Sequence, residues 1–227
     1  MTQQNPVIRI KAHTNKHGRF LMVVAALIAG ITLLLSQLFW QEHKLVLMFS
    51  YLTALVFAIT GLAKLSEPAF SILLSPDYLS YQHRNGQWQI SWQQIQRFDL
   101  VKETIGLEQV ELAYIGIKLL DIDMLAKQIS PRLANKLIHE QKPLISFAVR
   151  YQLIPFERGI ICFEPYQLAS GELIKGPIAA FLHHSKNLHD AFGFHLYLPA
   201  SSLDRDLPAF NQLLRQCKQH SQHYHST

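Results

Sequence analysis

Two stretches of the chain carry almost no polar positions, residues 20–40 (FLMVVAALIAGITLLLSQLFW) and 45–65 (LVLMFSYLTALVFAITGLAKL), separated only by Gln41, Glu42, His43 and Lys44. Each has 21 residues and one charge at most, Lys64, which lies near an end. At about 1.5 Å of rise per residue either run spans roughly 30 Å of hydrocarbon, and neither has the polar stripe of a soluble core helix. The pattern predicts two transmembrane helices joined by a turn at QEHK. A cleaved signal peptide fits poorly, because the first run exceeds an ordinary h-region and no small-x-small cleavage site follows it. Ala26-x-x-x-Gly30 and Ala54-x-x-x-Ala58 predict close packing between the two helices.

Beyond residue 65 the period changes. FSILL, then Ser75-Pro76-Asp77, then YLSYQHR, Asn85-Gly86 and QWQISWQ read as strands broken by turns, with Asn-Gly as a type I′ hairpin signal. Trp88, Ile90 and Trp92 alternate with Gln89, Ser91 and Gln93, which places both tryptophans in the core. IQRFDLV and VELAYIGIKLL complete a five-stranded antiparallel meander. Helical signals follow. Asp121 is positioned to cap DIDMLAKQI, and Ser130-Pro131 opens PRLANKLIHEQ. Leu144, Phe147, Ala148 and Tyr151 fall at helical spacing, and Gly176-Pro177 opens PIAAFLHHSKNL. FHLYLP alternates as a strand. Phe210, Leu213, Leu214 and Cys217 mark a last amphipathic helix, which Asp206 caps, with Asp204 and Arg205 solvated beside it.

Charge sets the expected topology. Arg9, Lys11, Lys16 and Arg19 precede the first apolar run with no acidic residue among them, so the positive-inside rule places the N-terminus and everything after residue 65 in the cytoplasm. The formal net charge is +5, yet residues 66–227 carry 15 Lys plus Arg against 15 Asp plus Glu. The surplus belongs to the first 65 residues, and a neutral remainder argues against nucleic acid as a partner. Cys162 and Cys217, each in an apolar setting, read as buried thiols in a reducing compartment.

The run LLSPDYLSYQHRNGQWQISWQQIQRFDLV, closed by a strand and a helix, resembles the bacterial PH-like domains found beside transmembrane pairs. GIKLLDIDMLAKQISPRLANKLIHEQKP and GELIKGPIAAFLHHSKNLHDAFGFHLYLPASSLDRDLPAF are similar to an uncharacterised family, a domain of unknown function, of two-helix inner-membrane proteins from marine gammaproteobacteria. The resemblance implies a fold and no activity: an antiparallel sheet curled over and plugged by its last helix. The expected fold class is an α+β membrane protein, with an N-terminal transmembrane helical hairpin, a PH-like antiparallel β domain carrying a helical insertion, and a C-terminal capping helix. Its expected parts are a basic cytoplasmic tail (1–19), the hairpin (20–65), the PH-like cytoplasmic domain (66–218, insertion about 121–190) and a polar His-rich tail (219–227). The expected location is the bacterial inner membrane, multi-pass.

Chemistry is sparse. No phosphate-binding glycine loop, nucleophile elbow or C-x-x-C is present, and His139-Glu140 lacks the second histidine of a zincin helix. His183, His184, His189 and His195 crowd one region and His220, His223 and His225 another, but none has a partner four residues on along the same helix face. The reading is therefore no catalytic, cofactor or metal residues and no enzyme. Arg84, Arg97 and Lys102 are candidate contacts to anionic headgroups. The expected function is a membrane-anchored interaction module that binds protein partners by strand addition or in a groove beside the C-terminal helix. A lipid-handling protein or enzyme at the membrane surface, a histidine-based metal or pH sensor, and a homo-oligomer are the alternatives.

Overall fold

The computed structural model describes residues 7–11, 18–66, 68, 70–105 and 108–226. They form two compact units, His13–Ala69 and the combination of Met1–Ala12 with Phe70–Thr227.

The first unit is helix α1, Gly18–Leu65, one continuous element of 48 residues. This corrects the expectation of two discrete transmembrane helices and with it the multi-pass localisation: among the described residues one helix is long and apolar enough to cross a membrane. The residues read as a turn, QEHK, lie inside the helix. Gln, Glu and Lys are good helix formers, and no Gly or Pro stands there to stop the backbone. Only Phe39 and His43 leave helical dihedrals, at φ −122°, ψ 16° and φ −125°, ψ 33°. The element bends there and its arms touch. Its buried residues, Gly18, Ala25, Thr32, Leu47, Ala54 and Gly61, recur every seven positions along each arm. A Cβ built on Gly61 would lie 2.9 Å from the Met22 side chain, whereas one on Gly30 would meet nothing within 4 Å. The close contact therefore runs along the Gly18 and Gly61 rows, and the expected role of Gly30 is corrected.

The second unit begins with a strand in the stretch expected to be a tail. β1, Ile8–Ile10, pairs antiparallel with β2, Ile72–Leu74, in the register Ile8↔Leu74 and Ile10↔Ile72. β3 (Tyr78–His83) and β4 (Gly86–Ser91) complete a four-stranded sheet in the order β1-β2-β3-β4. Between β3 and β4 the loop is Arg84-Asn85, and Gly86 already pairs with His83. Gly86 takes φ 139° while Asn85 does not turn positive, so the expected type I′ geometry is replaced by a glycine at the strand entrance.

The expected meander breaks after β4. A 3-10 turn at Trp92–Gln94, closed by a capping box between Ser91 and Gln94, leads the chain out of the first sheet. Trp92 points inward, and its Nε1–H donates to the Ser75 carbonyl at 2.8 Å. β5 (Ile95–Ile105) pairs instead with β6 (Glu108–Leu119), and β6 with β9 (Leu196–Pro199), giving a second sheet in the order β5-β6-β9. Register shifts at Ile95/Arg97 and Leu100/Lys102 bend β5. A third ladder joins β7 (Tyr166–Gln167) to β8 (Leu173–Ile174). The strands divide into three open sheets, so the PH-like fold implied by the resemblance, one antiparallel sheet curled over and plugged by its last helix, is corrected as well.

Helices α2 (Asp123–Gln128), α3 (Pro131–Glu140), α4 (Lys142–Arg150) and α5 (Pro177–Phe192) fill the interval between β6 and β9. Ser130 caps α3, its Oγ accepting from Leu133 N–H at 3.2 Å and donating to Asn85 O at 2.8 Å, which ties the helix to the β3–β4 hairpin. Asp121 accepts from the Asp123 N–H, one residue outside the cap position. Helix α6, Leu207–Ser226, runs through the stretch read as a tail, and Asp206 caps it by accepting from Ala209 N–H at 3.2 Å. The main core gathers Ile10, Ile72, Leu74, Trp88, Trp92, Ile115, Phe181, Phe210 and Leu214. A second cluster, with Val101, Leu144, Ala148, Leu188 and Tyr197, lies where α4 and α5 cover the second sheet.

Candidate functional site

Along α6 the residues Leu213, Gln216, Cys217 and His220 stand at i, i+3, i+4 and i+7, hence on one helix face. That face borders a groove whose other wall is Ile8, Leu74, Ser75 and Pro76, with a volume of about 210 Å³. Ile8 and Leu74 are opposed in the β1–β2 register, so the wall is the outer end of the first sheet. The turn at Ser75 is held rigidly: its N–H donates to Tyr78 O at 2.9 Å and its carbonyl accepts from Trp92.

The far side of α6 is tied to the second sheet. Lys218 Nζ donates to Ile95 O at 2.6 Å and Gln96 O at 3.1 Å, and burial lowers its pKa. Asn211 Nδ2 donates to Asp99 Oδ1 at 3.0 Å, and Arg215 lies 3.6 Å from the same oxygen. With that side pinned, the Leu213–His220 face stays directed at the groove. Burial raises the Cys217 pKa, so its sulfur is a thiol at neutral pH, an apolar lining atom rather than a nucleophile. The groove suits an apolar segment with a few backbone hydrogen-bonding groups. Among the described strands none pairs with the outer edge of β1.

Headgroup candidates are spread over two sheets. Arg84 is exposed at the β3–β4 turn, while Arg97 and Lys102 are exposed on β5. Arg97 lies 5.0 Å over the Phe194 ring and Lys102 pairs with Glu111, so two of the three are engaged within the domain. Of the topology residues, Arg9 sits on β1, 5.4 Å over the Phe70 ring. Lys11 follows β1 and Arg19 lies in the first turn of α1; Lys16 is outside the described residues.

The structure brings together two of the histidines. His189 and His195 stack with centroids 4.2 Å apart and planes 6° from parallel, which sends their in-plane lone pairs side by side rather than toward one point. His195 Nδ1 accepts from Leu119 N–H at 3.1 Å, and its pKa falls to about 4, through burial first and the neighbouring His189 and Lys118 next. His184 is 6% exposed with Nε2 unpartnered, and burial lowers its pKa to about 4. Among the described residues no group of three His, Cys, Asp or Glu side chains could hold a metal. Asp204 and Arg205 form a two-point ion pair, and Arg205 draws the Asp204 carboxyl below its ordinary pKa. Both cysteines are free and half-buried, a correction to the reading of buried thiols.

Sequence reasoning pointed to a groove beside the last helix but missed its other wall. Ile8 gave no signal, because a three-residue strand in a basic segment has too few positions to show a period. No curated protein and no solved structure matches this chain. One family does, over residues 72–220, from β2 into α6 and without α1, so the two-helix character attributed to the relatives is no part of what is matched. On that match the chain belongs to DUF2982, a family described as protein of unknown function.

Proposed function

We propose that the protein is a helix-anchored binding module, and that the groove between β1 and α6 seats an extended apolar segment of a partner protein which adds to the outer edge of β1. The observation that carries this reading is the coincidence of an open apolar groove with a strand edge that no other described strand takes. Strand addition supplies main-chain hydrogen bonds, and a pocket beside the edge supplies side-chain selectivity. Leu213, Cys217, Ile8 and Leu74 offer apolar contact; Gln216 and His220 offer polar atoms to a bound backbone. In α1 the large apolar side chains are mostly exposed, as suits a lipid-facing anchor that keeps the module at a bilayer.

A photoreactive amino acid in place of Gln216, in the full chain within native membranes, tests the reading. It should give a protein adduct that is absent when the probe replaces Arg132, on the exposed face of α3, and absent when Leu213→Glu is added. Adducts of equal yield at both positions, or none at Gln216, would contradict it.

A further inference from the structure

Between α4 and β7 the chain presents four large apolar side chains to solvent within eight residues. Phe156 is 70% exposed, Ile160 60%, Phe163 60% and Ile161 38%. Scattered exposed apolar residues are ordinary, but a cluster of this size on a folded domain marks a surface with a partner.

The cluster is braced from below. Phe156–Gly159 forms a 3-10 turn. Arg158 Nη1 donates to Asp190 Oδ2 at 2.8 Å, and Asn187 Nδ2 donates to Arg158 O at 2.9 Å, fixing the turn to α5. Gly159 presses on α4 so closely that a Cβ there would lie 2.6 Å from Val149 Cγ2. The phenylalanines and isoleucines are thus held outward instead of folding back on the core.

The character of the loop selects the occupant. Of its charges, Glu157, Arg158 and Glu164, the one cation is spent on Asp190, so the loop offers no free cation to an anionic ligand. Its backbone forms no strand edge between Gly159 and Tyr166 to template a peptide. What remains is the apolar tips themselves, Phe156 and the run Ile160 to Phe163 with charged residues at their margins, and apolar side chains of this kind dip into the headgroup and acyl boundary of a bilayer. The same chain carries a helix able to cross a membrane, so an anchored domain meets lipid continuously. We propose that residues 156–163 are a bilayer-insertion loop, a second lipid contact in addition to α1. This rests on α1 residing in a bilayer, as proposed above.

Tryptophan emission separates the two claims. Trp88 and Trp92 are buried, and Trp40 lies in α1. The full chain, its Trp40→Phe variant and the Trp40→Phe/Phe163→Trp variant are reconstituted into phosphatidylcholine vesicles with or without bromine on the acyl carbons nearest the headgroup. Side chains about 5–10 Å below the boundary lie within reach of those bromines, so roughly half of the emission added by the tryptophan probe at position 163 should be lost. If Trp40 is quenched and the probe is not, the loop stays in water and the proposal falls while the anchor stands. If Trp40 itself is not quenched, the anchor fails and the loop proposal falls with it.

Discussion

Lowering the pH from 7 to 5 should destabilise the second unit through His184, and replacing that one side chain should remove a defined part of the loss. In the fold the imidazole is buried with Nε2 unpartnered, so protonating it would strand a charge, and its pKa drops to about 4. Unfolded, it returns to an ordinary value near 6.5. Because the unfolded state binds the proton more readily, stability is complete above the unfolded pKa and is lost as pH falls from about 6.5 toward 4. Those two values give a loss of about 2 kcal/mol between pH 7 and pH 5, approaching about 3 kcal/mol near pH 4. His195 adds to the loss in the same window, by less, since it is only half-buried and partly screened. His184→Leu removes the titrating group and fills the site with apolar volume, so stability at pH 7 should hold or rise. The assay is urea unfolding of wild type and variant at pH 7 and pH 5, followed by emission of Trp88 and Trp92. The variant should lose about 2 kcal/mol less than wild type between the two pH values. Equal losses would show that His184 is not held neutral and would refute the burial argument.

Three further outcomes follow from packing. Ile10→Ala, at a fully buried position on β1, should cost about 2–5 kcal/mol by urea unfolding, and a fragment starting at Ser66 should be less stable than one with residues 1–12 fused ahead of residue 70. A fragment as stable as the fusion would mean that β1 contributes nothing to the unit. Gly86→Ala adds a Cβ 2.3 Å from Ser130 Oγ at φ 139°, so it should cost about 1–3 kcal/mol, and Gly86→Ala/Ser130→Ala should cost less than the two singles together; strict additivity would deny the contact. Gly61→Leu should lower the thermal midpoint of α1 in detergent, read by circular dichroism, while Gly30→Leu leaves it unchanged; the reverse order would put the close contact on the other row.

Much of the local structure was legible because its signals are local. Ser130-Pro131 opens a helix in any fold that keeps its hydroxyl near Leu133, and the alternation through Trp88 and Ile90 buries one strand face wherever the sheet sits. The errors arise where structure depends on distant partners. β1 has three residues, and its ladder with β2 closes only after the chain has passed through all of α1. The segment ISWQQI alternates through Gln93 and loses the pattern only at the adjacent Gln94, a one-residue slip too short to mark the 3-10 turn at Trp92–Gln94 as the exit from the first sheet. Polarity marked the place of the bend, since the backbone leaves helical dihedrals at His43 within QEHK and at Phe39 just before it, but helix propensity carries Gln41, Glu42 and Lys44 on as helix and no open turn forms. The polar end of α6 likewise stays helical because nothing in it terminates a helix. The groove draws on β1, β2, the following turn and α6, and only its helical wall has a spacing that can be read along the chain.

Hydrogen exchange of the full chain, alone and with the partner captured at Gln216, tests the binding proposal most directly. A segment added to β1 and lying in the groove should slow exchange of the backbone amides at residues 7–11 and at 213–220 while leaving α3 unchanged. Slowing confined to other elements, with β1 and α6 unaffected, would contradict the account.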